Sequence, residues 1–154
     1  GAYYLVHEGA HLLYALVTGV FKRIHFMGLG VQIDICAQDM TDMKLAIFCL
    51  TGPLATFLAG YLLTLFTKKI CRWKNALLRA AAYYTTIAFL LTDPLYLSVL
   101  CGFFGGGDMN GIALLCPEWA ARCFFGALLF ANGLVFRKQI LPAYQQAFQD
   151  SNTQ

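Results

Sequence analysis

Within the apolar run from Ala2 to Val20 stand three ionisable residues, His7, Glu8 and His11, in the order His-Glu-Gly-Ala-His. An apolar run of this length reads as a helix crossing a bilayer, whose hydrocarbon core of about 30 Å takes about 20 residues. Ionisable side chains inside such a helix are costly and must face a protein-lined, water-accessible interior. On a helix, positions i and i+4 share one face, so His7 and His11 can grip one ion together. Glu8 lies beside the first ligand, free to take a proton from a bound water without ligating the metal. Zinc hydrolysis uses this arrangement: neutral imidazoles hold Zn²⁺, an open position takes water, and a carboxylate acts as base. A helix end carrying two interfacial histidines would use some of the same letters, but it would not need three polar residues within a turn and a half.

The rest of the chain supports a membrane setting. Of its 154 residues 59% are hydrophobic and only 12% charged, about half the charge of an average soluble domain. Further apolar runs are expected to span at Lys44 to Phe66, Ala76 to Thr92 and Glu118 to Phe136. Gly52-Pro53 is expected to kink the second, and Asp93-Pro94 to break the third. Leu95 to Phe104 would follow as a second half-segment or a re-entrant piece. The expected fold is thus an all-α integral membrane protein of about four transmembrane helices with kinked or re-entrant segments. A single transmembrane domain would cover 1–138, and 139–154 would form a polar tail.

Between the first two spans the hydrophobic period changes to two. Val31-Gln32-Ile33-Asp34-Ile35-Cys36 alternates, Ile24 to Met27 is a shorter candidate strand, and Gly28-Leu29-Gly30 can turn between them, giving a small β-hairpin. Its free edge could take an extended peptide by strand addition. His25 in the first strand reads as a surface residue. Gly105 to Gly107, ahead of Asp108, leaves the backbone free and removes side-chain bulk there.

The basic residues set an orientation. Four spans put the 67–75 loop and the segment after Phe136 on one side, with Lys68, Lys69, Arg72, Lys74, Arg137 and Lys138; Trp73 is an interfacial anchor. That side is expected to be cytoplasmic, the tail included. No cluster of bases interleaved with aromatics suggests nucleic acid as a partner. The six cysteines form no CxxC pair and read as reduced packing residues. The opening Gly1-Ala2-Tyr3 has no basic run ahead of an apolar one, so no signal peptide is expected there.

Hydrolytic zinc takes three protein ligands. His25 lies too far beyond the first span to return, and Glu118 reads as a helix start. Two acids remain in apolar surroundings, Asp93 and Asp108, and spacing alone leaves both open.

His7-Glu8-Gly9-Ala10-His11, then Gly52-Pro53-Leu54-Ala55-Thr56, then a downstream aspartate resemble the site-2 protease family of intramembrane zinc metalloproteases, in its divergent bacterial range. The order and spacing cover most of the chain. The family's common Leu-Asp-Gly is absent, and Thr56 stands where asparagine is frequent. Asp108 with Gly111-Ile112 and Pro117 is similar to the ligand element of divergent relatives, while Asp93-Pro94 is similar to the asparagine-proline element that precedes it. The resemblance therefore implies His7, His11 and Asp108 as zinc ligands, with Asp93 the runner-up or an outer partner of a histidine, and Glu8 as catalytic base. It implies an intramembrane zinc metalloendopeptidase acting on a transmembrane or membrane-associated peptide. The alternative is a non-catalytic metal-binding membrane scaffold or regulator, against which Glu8 argues because a structural site would not need it. A small channel or transporter would need more polar residues along the spans.

Overall fold

The computed structural model describes residues 1–27 and 30–152. The chain is mostly helical with one two-stranded antiparallel hairpin. Helix α1, Ala2–Thr18, ends at Gly19, whose left-handed φ of 74° lets its N–H return to Ala15 O and Leu16 O. Glycine carries no Cβ penalty there, so the helix stops short of Val20, the end of the apolar run. Strand β1, Phe21–Met27, then pairs with β2, Gly30–Ile35. Ile24 faces Ile33 and Arg23 faces Asp34, with a register shift between Phe21 and Arg23. Both strands start earlier than their alternation suggested. The expected turn falls on Gly28 and Leu29, which lie outside the described residues.

Helix α2, Asp42–Leu65, begins at Thr41, whose hydroxyl accepts from Lys44 N, and it continues without a break through Gly52-Pro53. A four-residue helix, α3, Thr67–Ile70, leads to α4, Ala76–Ser98, where the Asn75 side chain accepts from the amides of Leu77 and Leu78. The expected break at Asp93-Pro94 does not occur. Pro94 has no N–H for the carbonyl of Leu90, and Asn132 from a neighbouring helix supplies the missing donor, its Nδ2 lying 2.7 Å from Leu90 O. With that carbonyl satisfied the helix runs on to Ser98. A 3₁₀ turn, Leu100–Gly102, and the glycine run then lead into α5, Asp108–Ile112.

Helix α6, Glu118–Val135, was expected to stop at Arg137-Lys138. It passes instead through a π-helical turn, Phe136–Ile140, into α7, Leu141–Asn152. The supposed tail is helical because Ile140, Tyr144 and Phe148 recur every four residues and pack back on Ile70 and Leu90. A second apolar cluster, around Phe48, Phe57, Leu97, Met109 and Phe125, joins α2, α4, α5 and α6. α1 packs on α2, with β2 lying against α1.

Among the described residues, two helices are long and apolar enough to cross a membrane, α2 and the joined helix Glu118–Asp150. α1 has only 17 residues, and α4 buries Arg79 and Asp93 along its length.

Candidate metal centre

The i and i+4 spacing on α1 aims both imidazoles at α2, where His7 is 7% and His11 3% exposed. Each ring has an acceptor at Nδ1. His11 Nδ1 donates to Phe48 O at 2.9 Å, with Thr51 Oγ1 at 3.2 Å. His7 Nδ1 lies 3.2 Å from Asp93 Oδ1. A carbonyl and a carboxylate there hold the proton on Nδ1, so both Nε2 atoms present lone pairs.

Those lone pairs face each other. His7 Nε2 and His11 Nε2 are 3.2 Å apart. Asp108 Oδ2 lies 3.1 Å from the first and 3.5 Å from the second. Among the described residues, His7, His11 and Asp108 form the group able to hold a metal ion. Three acceptors at such separations repel one another without a cation. Tetrahedral zinc, with ligands at about 2.0–2.1 Å, sets its donor atoms about 3.3 Å apart. The observed triangle has that size. A proton on His7 Nε2 would turn that atom into a donor toward His11 Nε2 and Asp108 Oδ2 but leave the contact between those two, whereas a metal ion at the centre is shared by all three.

Two glycines make the approach possible. A Cβ at Gly52 would lie 2.5 Å from His11 Nε2 and 2.7 Å from His7 Nε2. Only glycine lets α2 come this close, which gives the Gly-Pro pair a spatial role beside its effect on the backbone. A side chain at Gly111 would collide with the Cys49 side chain, so the same logic lets α5 lie on α2 and deliver Asp108. Gly105, Gly106 and Gly107 have φ of 89°, 84° and 50°, a run of left-handed backbone that other residues would strain.

Glu8 is half-buried and lines the groove onto which the centre opens. Ile33 of β2 lines the same groove. The groove has a volume of about 1080 Å³ and is lined by residues of α1, β2, α2, α4, the glycine run and α5. Val31, Ile33, Leu91 and Gly107 are among its walls. His25 is exposed on β1, its ring 3.9 Å from Asp34 and outside the cluster.

Asp93 sits behind His7, on the side away from the triangle, and is 2% exposed. Tyr3 Oη donates to its Oδ1 at 2.5 Å, and Thr56 Oγ1 donates to Oδ2. Nothing in the sequence singled out Tyr3 or Thr51, and Thr56 stood out only as a departure from a motif. Tyr3, His7 and His11 follow one another at steps of four, a stripe that would have identified the tyrosine. Thr51 and Thr56 carried no comparable signal, because their contacts arise only when α2 meets α1 and α4.

A His/His/carboxylate triangle with Glu8 lining the same groove could hold a metal ion and present a base to a molecule in that groove. Compared with known proteins, the chain matches no family model, no curated protein and no solved structure, so this reading rests on the geometry of the site itself.

Proposed function

We propose that this chain is an intramembrane zinc-dependent endopeptidase of the site-2 protease kind. The observation that carries the reading is the triangle of His7 Nε2, His11 Nε2 and Asp108 Oδ2, with Glu8 on the same groove. Bound there, zinc would activate water and polarise the scissile carbonyl. Glu8 would accept the proton of the attacking water and deliver it to the leaving nitrogen, the general acid–base role of a carboxylate next to the reacting bond. Phe48 O and Asp93 would keep the two imidazoles in the required tautomer throughout.

The substrate class follows from the groove. Its β2 wall offers strand backbone, which an extended peptide can pair with while its side chains contact apolar residues. An extended segment is also what a peptidase requires, since a helical peptide hides its carbonyls. The membrane reading is supported by two helices of spanning length and by apolar side chains on the outer surface, including Leu5 at 77%, Val17 at 78%, Leu65 at 78% and Leu77 at 76% exposed. Six bases are exposed: Lys68 and Lys69 on α3, Arg72 and Lys74 just after it, and Arg137 and Lys138 in the π turn. They would face the cytoplasm. Reporters fused after Asn75 and beyond Lys138 should then both read cytoplasmic, and one in the 37–43 segment the opposite side.

The deciding experiment compares purified wild type with Glu8→Ala for metal content and for cleavage of a membrane-embedded peptide. Both should carry about one zinc per chain, the minimum a single site of this kind needs, and only wild type should cleave. A Glu8→Ala protein that cleaves as well as wild type overturns the proposal. Zinc without cleavage in wild type would favour the scaffold alternative.

A further inference from the structure

Three helices converge on one enclosed carboxylate. Tyr3 comes from α1, one turn before His7. Thr56 comes from α2, one turn after Gly52, and is 0% exposed. Asp93 comes from α4. The Tyr3 ring stacks against the His7 imidazole, with centroids 5.3 Å apart and planes 29° apart, while its hydroxyl meets Asp93 Oδ1. The Thr56 hydroxyl has one proton and two acceptors in reach, Pro53 O at 2.9 Å and Asp93 Oδ2. The charged acceptor makes the stronger bond, so the proton goes to Asp93.

A carboxylate's terminal torsion is broad and roughly two-fold, so nothing intrinsic to aspartate fixes which way its oxygens point. Here each oxygen has its own hydroxyl donor from a different helix. With both held, Oδ1 stays aimed at His7 Nδ1, and the His7 ring stays aimed at the triangle. We propose that Tyr3 and Thr56 are positioning residues that lock Asp93 from its two sides and thereby set the direction of the His7 Nε2 lone pair. Thr56 touches none of the three donor side chains, and Tyr3 meets His7 only on its ring face and at Nδ1, away from the Nε2 donor. This inference rests on the metal-site reading above, and it adds a supporting layer that the donor triangle alone does not require.

The test separates the two. Zinc affinity is measured by chelator competition on full-length protein in a Glu8→Ala background, and ligand geometry by the visible absorption of the cobalt-loaded form. Tyr3→Phe and Thr56→Val should each weaken zinc binding by about tenfold, the low end of the range for outer partners of metal-bound histidine. Both should also change the cobalt spectrum. Thr56→Ser should restore affinity and spectrum, which a merely space-filling role would not predict for the smaller side chain. Adding Tyr3→Phe to Asp93→Asn should do little more than Asp93→Asn alone, since both act through one carboxylate. Wild-type affinity and spectrum in folded Tyr3→Phe and Thr56→Val proteins would overturn the inference and leave the metal site standing. If Thr56→Val does not fold, Tyr3→Phe decides alone, at a position that is only half-buried. A parent protein that binds neither zinc nor cobalt would overturn both.

Discussion

The Tyr61–Asn132 pair and the His7–His11–Asp108 group both bury polar atoms among apolar helices, and the two are completed differently. Asn132 is 0% exposed; its Oδ1 accepts from Tyr61 Oη, and its Nδ2 donates to Leu90 O, the carbonyl that Pro94 leaves without a partner. Each of those groups meets one of opposite kind. At the other cluster the Nδ1 atoms are matched in the same way, but the three inward atoms are acceptors facing acceptors. Burial of polar groups costs free energy in both places; the first recovers it fully from within the protein, the second at its Nδ1 atoms. A closed polar knot stabilises a fold. The second is a group that could hold a metal ion.

The largest expected effects test the open cluster. His11→Ala should abolish zinc retention and turnover together, while Glu8→Ala should keep zinc and lose turnover by about 10²–10⁴-fold, the range for removing a general base. Equal zinc content in wild type and His11→Ala would break the comparison at its centre. Asp108→Asn should also empty the site, because an amide oxygen is a poor zinc ligand, whereas Asp93→Asn should retain zinc with affinity lowered about 10–100-fold.

Next in size is Gly52→Ala. Its methyl group would enter the space between the two Nε2 atoms, so zinc occupancy should fall sharply. Gly133→Ala in α6, where an added Cβ meets nothing within 4 Å, is the control and should leave it unchanged. Metal analysis of the two proteins checks this directly.

Asn132→Leu probes the closed knot. It leaves Leu90 O and the Tyr61 hydroxyl without partners, at a cost of about 1–3 kcal/mol for a buried group left unsatisfied. Thermal unfolding in detergent should show the loss, and zinc affinity should stay where it was. A variant that loses zinc as readily as stability would mean the two clusters are coupled through α4, and the contrast between them would need redrawing.

The smallest effect belongs to the hairpin. The hydrogen bond from Arg23 Nε to Asp34 Oδ2, at 2.7 Å and helped by the guanidinium charge, holds the Asp34 carboxyl below its ordinary value. A depressed carboxylate pKa contributes stability above the unfolded value, and that contribution is lost as pH falls through the folded one. Asp34→Asn should therefore matter slightly at neutral pH and not at all in strong acid, as unfolding followed across pH would show. The pair is exposed and screened by solvent, so the change should be the least of the series.

Some of this molecule was legible in its letters, and what was legible was local. The change from helical period to alternation between Thr18 and Val31 announced the hairpin. The four-residue step from His7 to His11 announced a shared face, because helix geometry depends on near neighbours alone. Helix continuity was misjudged wherever it depended on a distant partner. Asp93-Pro94 reads as a break until Asn132, on another helix, supplies the missing donor. Arg137-Lys138 reads as a stop until Ile140 and Tyr144 find Ile70 and Leu90.

The site divides along the same line. Residue type and spacing named His7, Glu8, His11 and two aspartates as candidates, since ionisable groups are conspicuous in apolar sequence. Which aspartate faces the Nε2 atoms, and which stands behind His7, was decided by how α4 and α5 pack on α1 and α2. Gly52 and Gly111 set that packing by what they lack, and Thr56 joins it through a hydroxyl shared between helices. Such contacts depend on distances between helices, and no pattern within one helix encodes them. The sequence by itself determined the secondary-structure periods, the apolar character and the polar residues available. The tertiary structure decided which acceptors were left facing one another, because that depends on three helices meeting at one point.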